Sequence, residues 1–140
     1  MNCGNSPNKT TSQIVIADAN FPSSSIAATS LTCREPISIT GRTTAQLLSD
    51  ILTLLPLDQY TDQPVKVMDR VDSDKRRNLH VPAYAALAAA AGIESEGALA
   101  YVERFKFYEE AKGAFVVIRT DDMSLYANAI VYKGVISVIS

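Results

Sequence analysis

The rest of the predicted fold is arranged around a short apolar run near the start of the chain. Ile14-Val15-Ile16-Ala17 is followed at once by Asp18 and then by the break Asn20-Phe21-Pro22. A run this short and uniformly apolar predicts a strand buried on both faces, as in parallel sheets. Pro22 has no N–H for a ladder bond, so the strand must end near Asp18. Ligands bind at this carboxyl edge in open α/β sheets. The alternative is that Asp18 caps a turn, since Asp is a common turn former.

Residues 43–55 carry the clearest helical pattern. Leucines and one isoleucine recur there at three- and four-residue spacing, which predicts one broad apolar face, and Pro56 ends the helix. The members of that face are Leu47, Leu48, Ile51, Leu52, Leu54 and Leu55. Elsewhere the pattern predicts helices over 82–91 and 105–112 and strands over 65–69, 99–103, 115–118, 126–132 and 135–139. The remaining stretches are predicted as a long connection over 23–40 with an extended piece at 37–39, a charged loop over 72–77, and a turn at Lys133-Gly134.

Strands that alternate with helical segments indicate an α/β fold. We predict a single three-layer domain, in which a mostly parallel sheet is covered by helices on both faces. Residues 1–13 are almost without apolar side chains, so they are predicted to form a flexible arm, and residues 14–140 form the domain.

Composition narrows the class of protein. The net charge is −2, and no basic stripe runs along the chain, which argues against a nucleic-acid partner. Lys75-Arg76-Arg77 is flanked by acidic residues and is predicted to be a solvated loop. No apolar stretch reaches transmembrane length or has the form of a signal peptide, and Cys3 and Cys33 make no disulfide framework. A cytoplasmic protein without a membrane partner is therefore expected.

The residues that could carry chemistry lie at predicted strand ends and turns. With His80 as the one histidine, no metal site is expected, and without a glycine-rich loop no nucleotide cofactor is expected. What remains is a set of carboxylates, phenols and an amide, which suits sugar hydroxyls because these need both donors and acceptors. The members are Asp18, Asp58, Tyr108, Tyr126 and Asn128. The alternative for each tyrosine is a core ring whose hydroxyl is satisfied by backbone.

Several motifs resemble those of the fucose mutarotase and ribose pyranase family. The strand at 14–22 is similar to the signature strand of that family, and Leu54-Leu55-Pro56-Leu57-Asp58-Gln59-Tyr60 is similar to the segment after its long helix. The most specific match is Glu103-Arg104-Phe105-Lys106-Phe107-Tyr108-Glu109-Glu110-Ala111-Lys112, and Leu125-Tyr126-Ala127-Asn128 follows at the family's spacing. The pattern is closer to animal L-fucose mutarotases than to ribose pyranases.

The resemblance implies interconversion of the α and β anomers of a free sugar by acid–base catalysis, without a cofactor. It implies that Asp18, Met68, Tyr126 and Asn128 hold the sugar and that Tyr108 and Asp58 take part in proton transfer. The implied ligand is L-fucose, with ribose and other aldoses as further possibilities, and the implied assembly is a homo-oligomer with residues 82–91 as a candidate contact.

The N-terminus departs from the family pattern. Where the family carries a Gly-His-Gly-Asp-Glu run with a proton-donor histidine, this chain has Lys9-Thr10-Thr11-Ser12-Gln13, so Thr10 stands in the histidine's place. A threonine hydroxyl is a poor acid near neutral pH. The alternative to an active mutarotase is therefore a catalytically impaired homologue that binds sugar or forms oligomers.

Overall fold

The computed structural model describes residues 12–30, 34–54 and 65–133. The helices within them are α1 (Ser23–Ala28), α2 (Thr44–Leu54), α3 (Asp72–Arg76), α4 (Pro82–Ala90) and α5 (Arg104–Ala111). The strands are β1 (Ser12–Ala17), β2 (Ile37–Ile39), β3 (Val65–Met68), β4 (Ala100–Val102), β5 (Val116–Thr120) and β6 (Ala129–Lys133). Thr10, Asp58, both cysteines, Leu55, Gly134 and the predicted strand 135–139 lie outside this part of the chain.

The six described strands form one mixed sheet in the order β2-β5-β1-β6-β3-β4. The β1–β5, β2–β5 and β3–β4 pairs are parallel, whereas β6 runs antiparallel to both β1 and β3. Five strands therefore point one way and β6 points the other. The predicted α/β fold with a mostly parallel sheet is confirmed.

Strand β1 is buried on both faces, as its apolar run predicts. Ile14 and Ile16 face a core that α2 and α4 cover, whereas Val15 and Ala17 face a second core that α1 and α5 cover. Successive side chains of a strand point to opposite faces, so one run of four apolar residues serves both layers. The sheet therefore lies between two helical layers.

Helix α2 follows its predicted pattern except at its end. Leu47 and Leu48 are buried and Ile51 and Leu52 pack against the same core, but the side chain of Leu54 is 81% exposed. Leu54 is the last residue of the helix and lies beyond the packed face.

Two short helices replace segments that were predicted to be irregular. Helix α1 begins directly after Pro22 within the predicted connection, and it buries Ile26 and Ala27. Helix α3 replaces the predicted charged loop, and it buries no residue at all. Both were missed because six and five residues are too few to show a 3.6-residue apolar period.

Two strand boundaries also differ from the predictions. β1 begins at Ser12, so Ser12 and Gln13, which were assigned to the arm, pair with β6. β6 begins only at Ala129, so Tyr126 and Asn128 lie in the loop before the strand and not at its start. No helix in the described ranges is both long enough and apolar enough to cross a membrane.

Candidate sugar-binding cleft

A polar cleft of about 180 Å³ opens at the carboxyl end of β1. It lies where the chain leaves β1, and it is closed by the loop before β6, the end of β3 and parts of α3 and α5. Its lining residues are Asp18, Asn20, Phe21, Met68, Asp74, Tyr108, Leu125, Tyr126 and Asn128. Five residues predicted for the site from the sequence or the resemblance, namely Asp18, Met68, Tyr108, Tyr126 and Asn128, therefore share one cleft. The sixth, Asp58, lies outside the described residues.

Asp18 is a buried carboxylate at the base of the cleft, with only 4% of its surface exposed. Its Oδ1 accepts from the backbone N–H of Asn20 at 2.9 Å, so it shapes the turn after β1 as well as lining the cleft. Burial raises the pKa of this carboxyl, and the negative charge of Asp122 adds to the effect. The backbone N–H groups of Asn20, Phe21 and Ala127 oppose that rise.

Asn128 is tied to Asp18 across the sheet. Its Oδ1 accepts from the backbone N–H of Asp18 at 2.8 Å, and the residue is buried. The oxygen of the amide is thus used within the protein. Within the described residues the Nδ2 group makes no hydrogen bond, so it is the donor that Asn128 can offer to a ligand.

Tyr126 adopts a backbone conformation that is rare for a residue with a side chain. Its φ is 59°, in the left-handed region. The hydroxyl donates to Oδ2 of Asp74 at 2.5 Å and accepts from the backbone N–H of Val71 at 3.1 Å. Burial, and after it the hydrogen bond to Asp74, raises the pKa of Tyr126, so the hydroxyl stays protonated near neutral pH.

Tyr108 and Met68 provide the remaining wall. The Tyr108 ring meets Phe21 edge-on, with the centroids 5.6 Å apart, and the residue is half-buried on α5. No described residue forms a hydrogen bond with its hydroxyl. Met68 is buried at the end of β3, and its carbonyl accepts from the Tyr84 hydroxyl at 2.6 Å.

Sequence reasoning missed four residues of the lining, of which Asp74 is the most consequential. Asp74 was assigned to a solvated charged loop, but α3 carries it to the Tyr126 hydroxyl. The acidic first turn and basic last turn of 72–76 match the helix dipole, which is the signal that could have identified α3. The other three are Asn20, Phe21 and Leu125.

A larger cavity of about 580 Å³, between α3 and α4, is a weaker candidate. Three of its charged groups already have partners, because Lys75 Nζ lies 2.7 Å from Asp69 Oδ2 and Arg70 donates to the Leu79 carbonyl at 2.9 Å. His80 lines this cavity and not the cleft of Asp18. Nowhere in the described ranges do three metal-ligating side chains cluster to hold an ion.

Residues 10–136 match the model of the RbsD / FucU transport protein family. The chain belongs to this family. Its curated relatives include the human protein named fucose mutarotase, which is 45% identical over 130 residues, 89% of this chain and 80% of the human one. Among solved structures, FucU from Bifidobacterium longum is 34% identical with a TM-score of 0.75, over 91% of this chain and 88% of the other.

Some of the solved structures that are similar to this chain carry a sugar. The fucose mutarotase of Streptococcus pneumoniae was solved in complex with L-fucose; it is 32% identical with a TM-score of 0.69, covering 91% of this chain and 86% of that one. The resemblance read from the sequence motifs is confirmed.

Proposed function

We propose that this protein is a fucose mutarotase, an isomerase that interconverts the α and β anomers of free L-fucose. The observation that carries the proposal is the shared cleft of Asp18, Met68, Tyr108, Tyr126 and Asn128, in a chain whose relatives bear that name.

The reaction is a balanced pair of proton transfers. A base takes the proton of the anomeric hydroxyl while an acid gives a proton to the ring oxygen, so the bond from C1 to that oxygen breaks and an aldehyde forms. Rotation about the C1–C2 bond presents the other face of the carbonyl. The chain hydroxyl then attacks C1, and the two protons return. No electron leaves or enters the sugar, so the chemistry requires no cofactor.

Three polar groups of the cleft have free capacity for the sugar hydroxyls. Asn128 offers its Nδ2 donor, Tyr126 keeps one acceptor lone pair on its oxygen, and Asp18 offers a carboxylate oxygen. The Met68 side chain adds an apolar contact that suits the methyl group of a 6-deoxy sugar. This combination favours L-fucose over sugars that carry a hydroxymethyl group there, with ribose and other aldoses as weaker ligands.

Tyr108 is assigned to proton transfer, together with Asp58. The support is that Tyr108 lines the cleft, that its ring packs edge-on against Phe21, and that its hydroxyl forms no hydrogen bond with any described residue. Magnetisation-exchange NMR of L-fucose tests the function. Exchange between the anomer signals should be faster with the protein than in buffer. Binding without faster exchange would instead identify the impaired homologue that Thr10 suggests.

We also propose a homo-oligomer, with the outer face of α4 as its contact. Ala85, Ala86 and Ala89 are exposed there, and small side chains permit close approach. Light scattering of the 15.1 kDa chain should show a multiple of that mass, and Ala86→Glu should lower the measured mass. A parent protein that stays monomeric at micromolar concentration would refute the assembly.

A cytoplasmic location is part of the same proposal, and cell fractionation tests it.

A further inference from the structure

Helix α3 brings a second carboxylate, Asp74, to the cleft. Its side chain is 17% exposed. One carboxylate oxygen, Oδ2, accepts from the Tyr126 hydroxyl, while Oδ1 accepts from Nε and Nη2 of Arg77 at 3.1 and 2.9 Å. The carboxylate is thus fixed from both sides, and it points one oxygen at a residue of the sugar cleft.

The hydrogen bonds of the Tyr126 hydroxyl leave one position open. A tyrosine hydroxyl has a single proton to donate and two lone pairs that accept. The proton is used on Asp74, and one lone pair is used by the Val71 N–H. A ligand can therefore meet this oxygen only as a donor.

The charge state of Asp74 keeps that arrangement in place. The hydrogen bond from Tyr126, and then the bond and charge of Arg77, lower the pKa of Asp74. The carboxylate stays ionised near neutral pH and cannot donate to Tyr126. The proton of the pair therefore remains on the tyrosine.

The position of the Tyr126 ring also depends on partners outside its own loop. A left-handed φ in a non-glycine residue is strained and persists only where its surroundings hold it. Here Val71 and Asp74 hold the hydroxyl, and the Tyr84 ring lies 6.2 Å from the Tyr126 ring between centroids. Two of these three contacts come from α3 and its N-cap residue.

We propose that Asp74 is a positioning residue that fixes the Tyr126 hydroxyl as a hydrogen-bond acceptor, so that a bound sugar must donate a hydroxyl proton at this point. The inference rests on the proposed mutarotase function. Without Asp74 the Tyr126 hydroxyl could rotate and donate its own proton, and the fixed direction of its hydrogen bond with the sugar would be lost.

A double-mutant cycle tests this directly. Asp74→Ala, Tyr126→Phe and the double variant are compared with the parent by calorimetric titration of L-fucose and by anomer exchange. Asp72→Ala is the matched control, because it removes the same charge from the same helix and its side chain makes no hydrogen bond with described residues. Each single variant should raise the Kd for L-fucose about tenfold, because each loses the contribution of about one hydrogen bond to binding. The double variant should stay within about twofold of Tyr126→Phe, and the control should match the parent.

A second readout does not depend on sugar. The carboxyl carbon of Asp74, followed by NMR against pH, should titrate at a higher pH in Tyr126→Phe than in the parent. If the Asp74 carboxyl titrates at the same pH in Tyr126→Phe as in the parent, the proposed coupling between Asp74 and Tyr126 is wrong. A double variant whose Kd for L-fucose rises about a hundredfold, the product of the two single effects, would also overturn it. If the parent binds L-fucose and Asp74→Ala binds it equally well, this inference alone fails. A parent that neither binds nor exchanges L-fucose would overturn the proposed function, and the inference with it.

Discussion

The backbone N–H of Asp18 donates to Oδ1 of Asn128 at 2.8 Å, although the two residues are 110 positions apart in the chain. This bond joins the end of β1 to the loop before β6, and it leaves the amide nitrogen of Asn128 without a hydrogen-bond partner among the described residues. The Oδ1 atom of Asn128 thus has a structural role, and the proposed function gives the Nδ2 atom of the same side chain a role in binding.

Asn128→Ala should impair stability and binding together. The buried N–H of Asp18 would lose its acceptor, which costs about 1–3 kcal/mol of the free energy of unfolding. Urea unfolding measures this loss, and calorimetry should show weaker L-fucose binding in the same variant. The matched control is Asn20→Ala, an equal truncation at an exposed position, which should change the free energy of unfolding by less than about 0.5 kcal/mol. Equal effects of the two variants on stability would contradict the role of the Asp18–Asn128 bond.

Asp18 should make the stability of the fold depend on pH in a definite direction. Burial raises the pKa of this carboxyl above its ordinary value of 3.8, so the folded state holds the proton more tightly than the unfolded state. Its contribution to stability is therefore present at acid pH and is lost as pH rises from about 3.8 through the higher pKa of the folded state. Relative to Asp18→Asn, the parent should lose unfolding free energy across that window and then level off. Urea titrations at a series of pH values measure the difference, and a parent that gains stability over the window would contradict the assignment.

Tyr108→Phe should remove catalysis while leaving the fold intact. The variant keeps the ring that packs edge-on against Phe21 and removes only a hydroxyl that bonds to no described residue. Acid–base assistance is typically worth about a hundred- to ten-thousand-fold, so the exchange rate should fall by a factor in that range with little change in melting temperature. Tyr101→Phe is the control, because that hydroxyl donates to the Glu96 carbonyl and lines the other cavity. A Tyr108→Phe protein as active as the parent would show that another group transfers the proton.

The sugar preference should follow the apolar wall of the cleft. L-Fucose should bind more tightly than D-glucose, since the proposed function places a methyl group against the Met68 side chain where glucose carries a hydroxymethyl group. Calorimetric titration of both sugars measures the difference. Equal affinities for the two sugars, or no measurable binding of L-fucose, would contradict the proposal that Met68 contacts the methyl group of the sugar.

The sequence predicted β1 and α2, whose side chains enter the cores, but it missed the six-residue helix α1, whose Ile26 and Ala27 also enter a core. β1 and α2 were identified because burial on two faces and on one face leaves a clear pattern, and Asp18 was placed correctly from the end of β1. Helix α3 was not, because it buries nothing and its residues resemble a solvated loop. The hydrogen bond between Asp74 and Tyr126 joins residues that are 52 positions apart, and it requires a left-handed backbone conformation at Tyr126. No local sequence pattern predicts the hydrogen bond or that conformation.

Thr10 separates the two hypotheses about activity, although it lies outside the described residues. If its position is close to the sugar, Thr10→His should restore a proton donor and raise the exchange rate. A variant that exchanges at the rate of the parent would place residue 10 away from the cleft.

Anomer exchange of L-fucose tests the central claim most directly. The anomeric proton of one anomer is saturated, and the loss of intensity at the other is followed with parent protein, with heat-denatured protein and in buffer alone. A fucose mutarotase should transfer saturation faster than both controls, in proportion to its concentration. A parent protein that transfers saturation no faster than buffer would contradict the account.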